Sequence, residues 1–429
     1  MAAARWLLVA ALLLAGGALC GQLEAAQGPA PENSCITCHR SIGDPRVTPP
    51  AEKFAGDIHL AQGIFCQDCH GGDPTSLDPE RAMSRAKGFI GKPTHQAIPP
   101  LCGKCHSNAE YMKRFNPTLR VDQVQEYYTS VHGKLLRKGD QKVATCISCH
   151  DVHKIRAIKD QQAWTYPLKI VDTCGRCHGS AEYMATYKIP TDVVAKYKAS
   201  VHFQTLTKGD LSAPTCNICH GNHGATPPGI NSVANVCGNC HSVPAELFAK
   251  SPHRTAFASM NLPACVSCHS DHDIHKTSDT MVGTTEPAVC ANCHQENSDD
   301  GRKVKSIRTS LDGLRTGIDR AEEILTRAER AGMEISQAKF DLHGASDILL
   351  KMRASVHLAD PATVDAFAVE GEKIADKQYE KGVQALKELA FRHQGLWVAV
   401  GIILVTIVGL ILKMREVDRR QSPPPSQHA

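Results

Sequence analysis

Nine times in 429 residues the chain places two cysteines three apart with a histidine directly after the second. The copies begin at Cys35 (CITCH), Cys66 (CQDCH), Cys102 (CGKCH), Cys146 (CISCH), Cys174 (CGRCH), Cys216 (CNICH), Cys237 (CGNCH), Cys265 (CVSCH) and Cys290 (CANCH). Of the 19 cysteines only Cys20 lies outside them. Histidine is about one residue in twenty here, so nine of nine by chance has odds on the order of one in 10¹¹ to 10¹². The histidine therefore belongs to the motif. Tetrahedral zinc uses cysteine pairs but has no need of a histidine after every second one. Disulfides suit an exported chain but leave the histidines unexplained. Covalent haem accounts for all three residues. Two thiols add across the two vinyl groups, the two-residue spacer lets both sulfurs reach one edge of the macrocycle, and the histidine sits under the iron.

On that reading the thioethers are Cys35, Cys38, Cys66, Cys69, Cys102, Cys105, Cys146, Cys149, Cys174, Cys177, Cys216, Cys219, Cys237, Cys240, Cys265, Cys268, Cys290 and Cys293. The proximal iron ligands are His39, His70, His106, His150, His178, His220, His241, His269 and His294. The expected cofactor is nine haem c. These motifs resemble the multihaem c-type cytochromes, in particular the cytochrome c3-like and doubled-CxxCH families. The resemblance implies haems packed against one another and electron transfer between them.

A low-spin iron needs a second axial ligand, so the other histidines must be placed. An internal repeat organises them. Glu110-Tyr111-Met112 leads to Ser130-Val131-His132 and then to CISCHDVH. Glu182-Tyr183-Met184 leads to Ser200-Val201-His202 and CNICHGNH, and a shorter copy runs from Glu246 through Ser251-Pro252-His253 to CVSCHSDH. Each copy closes with a second motif, so each carries two haems and two spare histidines: His132 and His153, His202 and His223, His253 and His272. The count balances within each copy. His153 lies too near His150 to reach the far face of the same haem and is expected on a neighbouring one, a ligand swap that the resemblance also implies. The rival reading makes His153, His223 and His272 surface residues beside a propionate. His59 and His95 stand seven residues before Cys66 and Cys102 and are further distal candidates. The ninth candidate comes from His275, His343 or His357, with His357, in RASVH, favoured. Met83 and Met112 are alternative ligands, although Met112 and Met184 fit the core of the repeat.

Aromatic residues make up only 5% of the chain, and there are about 29 residues per haem between Cys35 and His294. The haems themselves are then the apolar core. The expected fold is mainly α with much irregular structure: a haem-packed multihaem cytochrome domain, then a helical hairpin or bundle, then one transmembrane helix. From about Arg302 cysteine vanishes, and Ile307, Leu311, Leu314, Ile318, Ala321, Leu325 and Ala328 recur at threes and fours, an amphipathic helix. Gly332 reads as its C-cap. A second helix is expected from about Ile335 to His357, and Asp360-Pro361 opens a third. The helices read as a stalk, with a coiled-coil dimer as the rival.

The N-terminus, MAAARWLLVAALLLAGGALCGQ, reads as a secretory signal peptide with Ala18 and Cys20 before the cleavage point. The competing lipoprotein reading acylates Cys20, for which Leu19 is a poor neighbour. Gly395 to Leu412 is eighteen uncharged residues, which as a helix spans ~27 Å. Lys413, Arg415, Arg419 and Arg420 follow it and favour a cytoplasmic end. The organisation expected is 1–20 signal peptide, 21–34 linker, 35–110 three-haem region, 111–180, 181–243 and 244–300 two-haem repeats, 301–394 helical stalk, 395–412 transmembrane helix and 413–429 cytoplasmic tail. A net charge of +4 and the lack of a basic helix with interleaved aromatics argue against nucleic acid as a partner.

The function expected is electron transfer by an inner-membrane, single-pass, periplasmic nonahaem cytochrome, more an electron carrier than an enzyme. It would link the quinone pool, through a membrane quinol-oxidising subunit, to a periplasmic cytochrome acceptor or donor. One membrane helix and a lone His393 supply no evident quinone site, which is why a partner subunit is expected beside the lipid bilayer. Surface lysines would steer the encounter. Two-histidine ligation gives lower potentials than His/Met ligation. The rival class is a reductase of nitrite, hydroxylamine or a sulfur oxyanion with one open haem; no CxxCK motif marks one.

Overall fold

The computed structural model describes residues 33–229 and 232–421. The signal peptide, Cys20, nearly all of the expected linker and the end of the tail lie outside them. The protein is 66% helical, and no strand occurs among the described residues. It divides into two compact units, one of residues up to 191 with 214–226, the other of 192–213 with residues from 227 onward.

The first unit is built from short helices joined by turns. Its buried apolar side chains are few and scattered: Phe54, Ile98, Met112, Tyr127, Leu136, Val143, Ile170, Val171 and Met184. Only Tyr127, Leu136 and Val143 form a cluster, with Tyr128 and Leu135 beside them. The second unit begins in the same style, then changes character. Three long helices follow: α1 (Asp299–Arg330), α2 (Ser336–Ser355) and α3 (Pro361–Gln421).

Their core is an aliphatic seam. Ile307, Leu311, Leu314, Ile318, Ala321, Leu325 and Ala328 of α1 meet Leu342, Ala345, Ile348 and Met352 of α2 and Val364, Ala368 and Ala375 of α3. Each set recurs at threes and fours, the spacing that keeps one stripe facing inward. Gly371 permits the closest approach, because a Cβ there would lie 2.6 Å from Leu314 Cδ2. Ser298 caps α1 by accepting from Gly301 N at 3.0 Å. Asp360 caps α3, accepting from Ala362 and Thr363 N, and Pro361 occupies the first helical position, where its missing N–H costs nothing. Helix α1 starts three residues before the sequence signal, because the Ser298 cap and the acidic pair Asp299-Asp300 suit a helix N-terminus. Helix α3 carries the long apolar stretch, none of it buried, as the one helix long and apolar enough to cross a membrane among the described residues.

Candidate metal centres

The motifs are mostly helical. Cys66–His70, Cys146–His150 and Cys216–His220 are single-turn helices, while Ser34–Ser41, Ile98–His106 and Pro167–His178 end on or just past the motif. In a helix, positions i, i+3 and i+4 share a face, so both sulfurs and the histidine project together. Four motifs end abruptly in the left-handed region, at Gly71, Asp151, Gly221 and Ser270. Gly71 can be nothing else, since a Cβ would run into the Gly88 carbonyl. The turn throws the next few residues away from the haem edge, which sends His153 and His223 elsewhere.

A second device positions the other spare histidines. Ser130 Oγ accepts from Gly133 N at 2.9 Å and donates to the Tyr127 carbonyl. Ser200 repeats this with Phe203 N and the Tyr197 carbonyl. Both serines are fully buried. Such an N-cap contributes about 1 kcal/mol, and it fixes His132 and His202 at the second position of their helices. The residue before each histidine is tied to a distant loop. Ile58 N donates to Ile155 O at 2.8 Å, Val131 N to Ala225 O at 3.1 Å and Val201 N to Ile274 O at 2.8 Å. Each acceptor stands two residues after the histidine of a CxxCHxxH loop. One backbone bond therefore sets two candidate ligands at once. In the last copy Pro252 takes the place of valine and has no N–H to give.

Fourteen of the imidazoles among the described residues meet in facing pairs. Their ring centroids are 6.1 Å apart for His59 and His106, 6.0 Å for His70 and His153, and 6.1 Å for His132 and His178. The others are His150 and His223 at 6.1 Å, His202 and His241 at 6.3 Å, His253 and His294 at 5.9 Å, and His269 and His357 at 6.0 Å. Two metal–nitrogen bonds of about 2 Å, plus half a ring of roughly 1 Å on each side, give about 6 Å. The gap is the width of a six-coordinate iron between two imidazoles. Every pair joins one motif histidine to one spare histidine. His153, His223 and His357 lie near-parallel to their partners, at 21°, 14° and 23°, whereas His59, His132 and His253 are crossed, at 83°, 62° and 64°.

Burial depresses His150 to about 4 and also lowers His106, His132, His153, His178 and His269. They stay neutral at physiological pH, the form that binds metal. Three rings have Nδ1 anchored, leaving Nε2 for a metal: His59 on Asp57 Oδ1, His70 donating to the Gly91 carbonyl and His357 to the Ala354 carbonyl, each at 2.9 Å. Such outer partners orient a ligand. Asp57 also accepts from Ile155 N at 2.7 Å, so it joins His59 to the loop of His153. Asp57 was absent from the sequence reading, and Ser130 and Ser200 stood there as members of the repeat, without their role as caps. The S-x-H triplet and the D-x-H at Asp57 were the available signals.

The pairing crosses the boundaries of the repeats. His153 faces a motif of the three-haem region and His223 one in the preceding copy, and His357 stands where a fourth copy would otherwise supply a loop. His95 is placed differently: its Nε2 donates to the Val143 carbonyl at 2.7 Å. His275 is exposed, and His343 is exposed beside Phe340. Met112 and Met184 are buried and Met83 is 43% exposed. His393 is exposed.

The sulfurs follow the order of the chain. Burial and then the charge of Cys35 raise Cys66 to about 11, and burial followed by Cys102 and Cys105 does the same to Cys69. Cys102 shares a hydrogen bond with Cys146, which lowers the one to about 7 and raises the other. Cys177 adds to the burial that raises Cys149, and Cys174 bonds to Cys216. In the second unit Cys237 bonds to Cys265, and Cys290 and Cys293 lie near enough to Cys268 to raise it, after burial. Consecutive motifs are thus neighbours within each unit. A cavity of about 270 Å³ beside His150 is rimmed by Lys53, Lys154 and Arg156, cationic groups that suit haem carboxylates. No disulfide, and no cluster of three or more side chains suited to a bare metal ion, occurs among the described residues.

The family model for cytochrome c3 matches residues 58–179, and that for the doubled CXXCH motif matches residues 257–299. The chain is a multihaem c-type cytochrome. It binds haem c covalently and transfers electrons. No curated protein and no solved structure gives a significant match to this cytochrome.

Proposed function

We propose that this cytochrome is a membrane-anchored, periplasmic carrier with nine haems, relaying electrons between a quinol-oxidising membrane subunit and a periplasmic redox protein. The observation that carries the reading is the pairing of imidazoles, about 6 Å between the rings of each pair, on motifs whose sulfurs adjoin in chain order within each unit. The eighteen motif cysteines would hold the haems, and one motif histidine and one spare histidine would hold each iron of the seven pairs. The haems supply the one-electron chemistry. The protein's own part is to fix ring orientation through Asp57, the Gly91 carbonyl and the serine caps, and to keep the imidazoles neutral by burial.

The apolar stretch of α3, with Lys413, Arg415, Arg419 and Arg420 beyond it, supports a single span with a cytoplasmic tail. The N-terminal apolar run supports export. A lone span bearing no histidine pair supports a separate quinol-oxidising partner. The test uses native membranes containing the full-length chain, a quinol analogue and the α-band absorbance. Rapid reduction in membranes with the partner, and none by the purified chain alone, is the expected result. Equal reduction by the purified chain would remove the partner, and no reduction in either would remove the quinone link.

A further inference from the structure

The seven pairs obey an alternation that singles out one motif. Counted along the chain, the third, fifth, seventh and ninth motifs (His106, His178, His241, His294) face a histidine about forty residues upstream. The second, fourth and eighth (His70, His150, His269) face one well downstream. By this alternation the first motif, His39, belongs to the upstream class.

The surroundings of His39 agree. Its helix is tied to the second motif through Asn33 Nδ2 donating to Gln67 Oε1 at 2.8 Å and Ser34 N donating to Pro74 O at 3.0 Å. Its carbonyl accepts from Thr48 Oγ1 at 2.7 Å. No imidazole faces its ring among the described residues. His59, the nearest spare histidine in sequence, faces His106, and the next, His95, has its Nε2 committed to the Val143 carbonyl. The ring of His39 is half-exposed, and Ile42, one turn on, is 55% exposed. The motif is also the first along the chain, and its Cys35 lies close enough to Cys66 of the second motif to raise it.

We infer that the haem of Cys35, Cys38 and His39 has no imidazole on its second face and is this cytochrome's binding site for a small exogenous donor, at one terminus of the relay. The inference rests on the haem reading proposed above and locates within it the place where inner-sphere chemistry occurs. A one-carbon or diatomic donor needs only a free coordination position and access from solvent, and His39 alone combines an unpaired ring face with a terminal place.

The test uses the full-length, haem-loaded protein. Carbon monoxide added after dithionite reduction should bind at about one per chain, and the ferric protein should show one high-spin component by EPR beside the low-spin majority. The double variant Cys35→Ala/Cys38→Ala should lose one haem and all carbon monoxide binding. The wild-type spectra stand even where that variant folds poorly. Nine low-spin haems with no carbon monoxide binding would overturn the inference while leaving the relay intact, as would a high-spin signal created only by His95→Ala or Met83→Ala. A count of seven haems or fewer would remove the relay reading and this inference with it.

Discussion

The two halves of this cytochrome solve the same problem with different material. In 299–421 a seam of leucine, isoleucine and alanine supplies the core, and Leu311, Leu314, Leu325 and Met352 are almost wholly buried. In 33–298 the comparable cluster is three side chains, and elements are held by caps, single backbone bonds and paired imidazoles. Apolar burial contributes about 25 cal/mol per Å², so the first half draws far less stabilisation from its own side chains than the second. The difference teaches that the cofactor is the core there. The helical half has an aliphatic core of its own, and it contributes His357 to the metal centres, delivered by the turn after α2 to face His269.

The contrast can be broken most forcefully by withholding haem attachment from the full chain. Amide hydrogen exchange should then show 33–298 unprotected and the 307–352 core still protected; uniform protection, or uniform loss, would dissolve the contrast. Next in size, Leu314→Ala should cost about 2–5 kcal/mol of helical-unit stability through the cavity it leaves. Chemical denaturation followed by far-UV circular dichroism would measure this, with haem content unchanged; a loss of haem would mean the halves are not separable in this way. His357→Met should move the spectrum and raise the potential of one haem, leaving the rest in place. An unaltered redox titration would take His357 out of the ligand set.

The smallest effect concerns the Asp279 contact. Its buried carboxylate accepts from Arg353 Nε at 2.7 Å and Nη2 at 2.8 Å. This bond, with Arg315 and Arg308 nearby, holds the carboxyl below its ordinary value against the cost of burial. A depressed folded value means stability present above the unfolded value and lost as pH falls through the folded one. Thermal melts of wild type and Asp279→Asn should therefore differ at neutral pH, with the gap narrowing progressively as pH falls below about 4. A constant gap down to pH 3 would show that the contact is not the source.

Much of this was legible in the sequence, for identifiable reasons. The motif is local chemistry, so its cysteines and histidines can be named without a fold. The helical seam is periodic, so its buried face can be read off. The spare histidines could be named as well, but their partners could not. Pairing is set by single backbone bonds such as Ile58 to Ile155, nearly a hundred residues apart, and no periodicity encodes them. The copies looked self-contained because each holds two spare histidines; in the structure His153 and His223 reach across the copy boundary to motifs that precede it. The signal that the series ends was present in Pro252, whose missing N–H removes the docking bond that the valine copies make. His343 and His357 share a helical stripe by spacing, and only the turn at Val356–Leu358 separates them: it carries His357 to His269, while His343 stays exposed.

The most direct measurement is the covalent haem content of the purified full-length chain, by pyridine haemochrome against protein mass. Nine haems per chain, one for each motif, is the result the nine motifs require. Seven or fewer, or a colourless protein with its sulfurs in disulfides or zinc, would contradict the account.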